Sequence, residues 1–265
     1  MQNVLLLIHK DAGQEARFEA AIDIVRSVSG HLSCLDVTPF PAIAGAGIGL
    51  APSMMRDEAE RDAGHREDMR CRLEREDLSW SWTDLRDDFI PCLIEAAANA
   101  DIVVLNRKLE STPRPNMRAI TSAVLMHTKA AIVAVDEHCR AFDAVAPALI
   151  AWDGSKGLSQ AIERALPLLK AAARITVLQV GSLPENAIPA DEAVTFLREH
   201  EMSCDLEQVA ASADVAGQIR RTADRIAAGY CVMGAYSHGR PREALLGGVT
   251  RDMLETSRIP LFLAH

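Results

Sequence analysis

Aromatic side chains make up only 4% of this 265-residue chain, so its core must be built from Leu, Ile, Val, Ala and Met. Long apolar runs are missing as well. The longest are the size of a strand, well short of the ~20 residues a membrane-spanning helix needs. The opening stretch "MQNVLLLIHK" has neither the basic flank nor the extended apolar segment of a secretory signal. A cytoplasmic protein without a membrane partner is therefore expected. No two of the six cysteines (34, 71, 92, 139, 204, 231) have C-x-x-C spacing, and they read as buried free thiols rather than a disulfide frame or zinc site. Positive charge is in deficit: 28 Lys and Arg against 37 Asp and Glu give a net charge of −9. That balance argues against nucleic acid as a partner, since binding it takes a basic face. Common nucleotide and nucleophile signatures are absent too. There is no G-x-x-x-x-G-K-[ST] and no G-x-S-x-G. "GAGIG" at 45–49 brings its third glycine too early for a dinucleotide fingerprint and, within "PFPAIAGAGIGLAPS", reads as a mobile loop.

What is present is a repeat. "FEAAIDIVRSVSGHLSCLDV" (18–37) is similar to "IERALPLLKAAARITVLQV" (162–180), each an amphipathic helix followed by an apolar strand. A strand precedes each, "NVLLLIH" (3–9) and "APALIAWD" (146–153). Further on, "DFIPCLIEAAANADIVVLN" (88–106) matches "DVAGQIRRTADRIAAGYCVMG" (214–234), and "SAVLMHTKAAIVAV" (122–135) matches "RDMLETSRIPLFLA" (251–264). Each half also carries one more helix and strand. The division falls near "DEHCRAFDAVAP" (136–147), giving domains of 1–140 and 141–265. Strictly alternating strands and helices predict an α/β fold: two tandem doubly wound parallel sheets with right-handed crossovers. Both last strands, 130–135 and 259–264, are apolar on both faces. They are expected to cover each other, antiparallel, so that the halves pack as a pseudo-twofold pair. Association of whole chains into a homodimer is left open.

In doubly wound sheets ligands sit beyond the carboxyl ends of the strands, where the strand order reverses. Three loops of the second half deserve inspection on that ground. Asp153 closes the first strand in "AWDGSKG", where a carboxylate can accept from a base or sugar, or simply cap the turn before the candidate N-cap Ser155. Val180 ends the second strand and could offer backbone groups to an adenine edge. The fourth strand ends at Gly234 and leads into "GAYSHGRPREALLGGVT". There Gly247 and Gly248 precede a helix, whose free N–H groups, with the Thr250 hydroxyl, suit a polyphosphate.

These residues are similar to those of the universal stress protein family, and the whole chain resembles its tandem form. Nucleotide-binding members carry G-x(2)-G-x(9)-G-[ST] after the fourth strand and an Asp at the end of the first. Here Gly234 and Gly247 stand in place, Ser237 replaces the second glycine and Gly248 replaces the Ser or Thr. The resemblance implies that Asp153 and Val180 hold adenosine. It also implies that Gly234 and Ser237 line the turn beside the phosphates, and that Gly247, Gly248, Val249 and Thr250 face them. It implies ATP or another adenine nucleotide, with or without Mg2+, as the ligand.

The first half departs from the pattern. His9 takes the place of Asp153 with no partner acid evident, and reads as structural. Asn106 stands near the Gly234 position, and "NRKLESTPRPNMRAITS" has no glycine to form a phosphate cradle. This half is expected to be degenerate, with Arg107 and Lys108 as solvated charges. His238 reads as a loop histidine. Three functions fit these observations. One is a stress or regulatory protein that binds ATP, with slow hydrolysis incidental because no catalytic base is evident. Another is a scaffold acting through unknown protein partners. The third, an adenylating enzyme, lacks its S-G-G-x-D-S signature. No catalytic residue and no metal ligand is assigned.

Overall fold

The structure, a computed structural model, describes residues 2–38, 52–109, 116–235 and 248–265, without the side chains of 52–62. Ser237, His238, Gly239, Gly247 and the 45–49 loop lie outside the described residues. Ten strands and eight helices alternate through the described chain. The first half runs β1 (Asn3–Ile8), α1 (Gln14–Val28), β2 (His31–Val37), α2 (Pro52–Leu73), β3 (Ser79–Leu85), α3 (Phe89–Ala97), β4 (Ile102–Asn106), α4 (Met117–His127) and β5 (Ala131–Val135). The second repeats it as β6 (Ala148–Trp152), α5 (Lys156–Leu169), β7 (Ile175–Val180), α6 (Ala190–Glu199), β8 (Cys204–Val209), α7 (Val215–Arg225), β9 (Tyr230–Gly234), α8 (Gly248–Thr256) and β10 (Leu261–Ala264).

All strands join one sheet, ordered β3-β2-β1-β4-β5-β10-β9-β6-β7-β8. Helices cover both faces. Side chains of α1, α2, α5 and α6 build one core layer, and those of α3, α4, α7 and α8 build the other. Strands covered on both faces are near-continuous apolar runs, as in β1, β4, β5, β9 and β10, with Asn3 and Asn106 at the strand ends as exceptions. The outermost strands differ because only one face is covered. Along β3 the residues Trp80 and Trp82 pack partly on the α1–α2 layer, while Ser79, Ser81 and Thr83 stay polar and exposed. Such an edge resists pairing with a second chain.

The halves meet at β5 and β10, which are antiparallel with Val133 opposite Phe262 and Ile132 opposite Leu263. Every other pairing among the described residues is parallel. Phe262, Val133 and Ile132 are fully buried, each contributing roughly 1.5–3 kcal/mol of apolar burial. Polar ties reinforce the seam. Arg107, expected in solvent, is instead 3% exposed. Its Nη1 donates to the Leu254 carbonyl at 2.8 Å, near the end of α8, and its Nη2 donates to the Asp136 carboxylate. A cation at a helix C-terminus complements the dipole, which explains why an arginine is tolerated there. Lys108 is half-buried. Arg118 and Glu255 form a second ion pair across the seam. Phe142, in the connection between β5 and β6, donates its N–H to Asp23 of α1 at 2.9 Å.

All six cysteines are free, but Cys71 and Cys139 are only half-buried, against the expectation of six buried thiols. Because the halves run in opposite directions, their carboxyl edges lie on opposite sides of the sheet. The two crevices therefore face away from each other.

Candidate functional site

Strand register locates both crevices. The β1–β4 ladder ends at Leu6 opposite Val104, although β1 continues to Ile8 and β4 to Asn106. In the second half the β6–β9 ladder ends at Ile150 opposite Val232, with β6 continuing to Trp152 and β9 to Gly234. Beyond these pairs the strands splay, opening a gap in front of α1 or α5. Matching the registers aligns Asn106 with Gly234. The buried face of the helices agrees: Gln14, Arg17, Phe18 and Ala21 of α1 correspond to Leu158, Ala161, Ile162 and Ala165 of α5. Arg17 thus stands where the second half has Ala161.

In the first half this gap is filled. Arg17 is completely buried, and its two terminal nitrogens each donate to a different oxygen of Asp11, both at 2.9 Å. Its Nε donates to the Leu7 carbonyl and its Nη2 to the His9 carbonyl, both at 3.2 Å. These carbonyls lie where β1 has lost its neighbour. The guanidinium also donates to the Asn106 side-chain oxygen, and Asn106 donates back to the Gly13 carbonyl at 3.3 Å. Position 13 must be glycine, because a Cβ there would run into the Asn106 amide. Asp11 further accepts from the Gly13 N–H at 2.8 Å and pairs with His9 Nδ1 at 3.0 Å. A partner acid for His9 is therefore present, two residues on, contrary to the sequence reading. The imidazole also meets Phe89 edge-on, with ring centres 4.9 Å apart. Burial alone would raise the Asp11 pKa, but His9, Arg17 and the Gly13 N–H together bring it down to about 2.

Buried charge is tolerated only when paired and fully hydrogen-bonded, and this cluster meets that condition. It fills the gap between the ends of β1 and β4 and the start of α1. "KDAGQEAR" contained the signal: an arginine inside the apolar face of a helix, with an aspartate six residues before it.

The second half is built from smaller parts. With Ala161 and Gly234 at the positions of Arg17 and Asn106, no hydrogen bond or ion pair between side chains among the described residues links the end of β9 to α5. Gly157 takes the place of Gly13, and a Cβ there would make only ordinary contacts, 3.6 Å from His265 Cα and 3.9 Å from the Ala235 carbonyl. Asp153 is half-buried, and its Oδ1 accepts from the Ser155 N–H at 2.9 Å. A carboxylate has about four acceptor sites, so this turn does not exhaust it. Ser155 caps α5 by accepting from the Leu158 N–H at 3.1 Å. Gly154 lies at φ +72°, which brings the turn against Ala187 and Ile188, and the Ile188 N–H donates to its carbonyl at 2.9 Å.

Val180 extends β7 one residue past its ladder with β6, which ends at Trp152 opposite Gln179, while still pairing with Val209 of β8. Its side chain packs on the same layer as that of Val249. Gly248 opens α8 exposed, with nothing within 4 Å of where a Cβ would stand. Thr250 differs from expectation. It is buried, and its hydroxyl donates to the Gly234 carbonyl at 3.3 Å, tying α8 to the end of β9. Asp153, Val180, Gly234, Gly248 and Val249 are thus placed along the carboxyl edges of β6, β7 and β9, with Thr250 turned inward.

No protein-family model and no curated protein matches the sequence. Solved structures do. A universal stress protein from Archaeoglobus fulgidus DSM 4304 superposes with a TM-score of 0.75 at 15% identity, over 99% of this chain and 95% of that one. The fold is that of the universal stress proteins. A protein from Pseudomonas aeruginosa UCBPP-PA14, described as a universal stress protein, matches at TM-score 0.57 and 18% identity over 99% and 92% of the two chains. The cytoplasmic domain of a prokaryotic cation chloride cotransporter matches at TM-score 0.53 and 10% identity, over 99% and 94%. Each superposition spans essentially the whole of both chains. No helix among the described residues is long and apolar enough to cross a membrane.

Proposed function

We infer that this chain is a universal stress-type regulatory protein that binds one adenine nucleotide, ATP or a relative, in the crevice of its second half. The observation that carries the reading is the exchange of Arg17 and Asn106 for Ala161 and Gly234 at equivalent points of the fold. One crevice is closed by an ion pair, and among the described residues the other has none at the equivalent positions. Asp153 would hold the sugar, the Val180 backbone the base edge, and the exposed start of α8 at Gly248 and Val249 the phosphates, with Mg2+ carried on them. Ser237 and Gly247 complete the set by sequence. A bound nucleotide would supply charge and area at the end of β9 and the start of α8, the two elements Thr250 links. Binding rather than catalysis is the role assigned, hydrolysis being at most slow and incidental. In this reading 1–140 is a domain that has kept the fold and lost the ligand, and 141–265 is the domain that binds.

A second reading, a scaffold acting through protein partners in the cytoplasm, has one observation in its favour: the Thr250 hydroxyl is already engaged by Gly234. Titration with a fluorescent adenine nucleotide separates the two. Saturable binding that weakens at least tenfold in Asp153→Ala supports the nucleotide reading. Absence of binding, or an unchanged variant, supports the scaffold.

A further inference from the structure

On the opposite edge of the sheet from the second-half crevice, a cavity of about 320 Å³ lies between α7 and α8. Its apolar lining is half-buried Ile259 with the buried Ala223 and Met253 behind it, and its charged lining is Arg220, Arg221, Arg258 and Asp224. Three guanidinium groups against one carboxylate make a positive hollow on a chain whose net charge is −9. Such a surplus is not what solubility alone would place there.

The cations are held loosely. Arg220 donates to the Thr256 hydroxyl, a neutral partner. Arg221 reaches Asp214 only at 3.5 Å, with both side chains more than half exposed. Arg258 is exposed and has no carboxylate partner among the described residues. Near the end of α8, Leu254 accepts from Arg107 at 2.8 Å and Met253 accepts from the Ser257 N–H at 2.9 Å, so two of the last carbonyls are engaged.

We propose that this α7–α8 cavity is a binding site for a small organic anion, an apolar body carrying one phosphate or carboxylate. The body lies against Ile259, in front of the buried Met253 and Ala223. The anionic group is taken by the forked donors of Arg220 and Arg258, which match both headgroups in shape. The site does not depend on the nucleotide reading. It shares α8 with the crevice, Gly248 at one end and Thr256 at the other.

Methyl-detected NMR on the full chain tests it, with phenyl phosphate and benzoate as probes. The Met253 and Ile259 methyl resonances should move together and saturate with at least one probe, and the tighter of the two identifies the headgroup. Arg258→Glu, at an exposed position, should keep the melting temperature and weaken binding at least tenfold. The proposal is overturned if neither probe moves those methyls, or if Arg258→Glu binds as the parent does.

Discussion

Arg17 donates to the side-chain oxygen of Asn106 across the splayed ends of β1 and β4, a contact with no counterpart in the second half, where Ala161 and Gly234 stand at those positions. The first half thus fills the gap between these strands with its own side chains. Arg17 takes up the carbonyls of Leu7 and His9 that the splayed strand leaves open, and Asp11 neutralises the charge.

That internal plug should register in acid. The Asp11 pKa falls from 3.8 to about 2 on folding, because the lowering by His9, Arg17 and Gly13 outweighs burial. Its contribution is therefore complete above about pH 4 and lost as the pH falls towards 2. Asp11→Asn should destabilise the chain by about 3–5 kcal/mol at pH 7, since it leaves Arg17 buried without a counter-charge. It should also flatten the pH dependence of stability between 4 and 2. Urea unfolding across that range decides it, and an unchanged slope would refute the assignment.

Gly248 offers a gain rather than a loss. A serine side chain there meets nothing within 4 Å, and its hydroxyl would stand at the N-terminus of α8. One charge-assisted hydrogen bond contributes about 1.5–3 kcal/mol. Gly248→Ser should therefore tighten ATP binding roughly tenfold or more. Weaker binding in an equilibrium titration would mean that phosphates do not reach this helix.

The seam makes a different demand. Leu261, Phe262 and Leu263 are covered by β5 of the other half. Residues 142–265 expressed alone would expose that strand as an apolar edge, the kind that recruits another chain. Sedimentation analysis should find dimers or larger species. A clean monomer at high concentration would show that the seam matters less than its burial suggests.

Much of this architecture was legible in the chain, because helix and strand periods alternate twice and covered strands are apolar along most of their length. The antiparallel meeting of β5 and β10 followed from two strands with no polar face. Where the chain puts the candidate residues was legible from the strand and helix ends: Asp153 just past β6, Gly234 at the end of β9 and Gly248 at the start of α8. The site was not legible where distant side chains meet. Arg17 and Asn106 are far apart in sequence, and only strand register brings them together. Arg107 read as a surface charge for a similar reason: its partner, the Leu254 carbonyl, belongs to the other half of the chain. Thr250 read as a ligand group because its competing acceptor, the Gly234 carbonyl, is invisible until α8 is docked.

The claim that one crevice is open and the other closed is tested most directly by isothermal titration with ATP. The parent chain should bind with a stoichiometry of one. Transplanting the plug, as Ser155→Asp with Ala161→Arg and Gly234→Asn, should abolish binding while circular dichroism stays unchanged. A stoichiometry of two, or of zero in the parent, would contradict the account, as would a transplanted variant that keeps the fold and still binds.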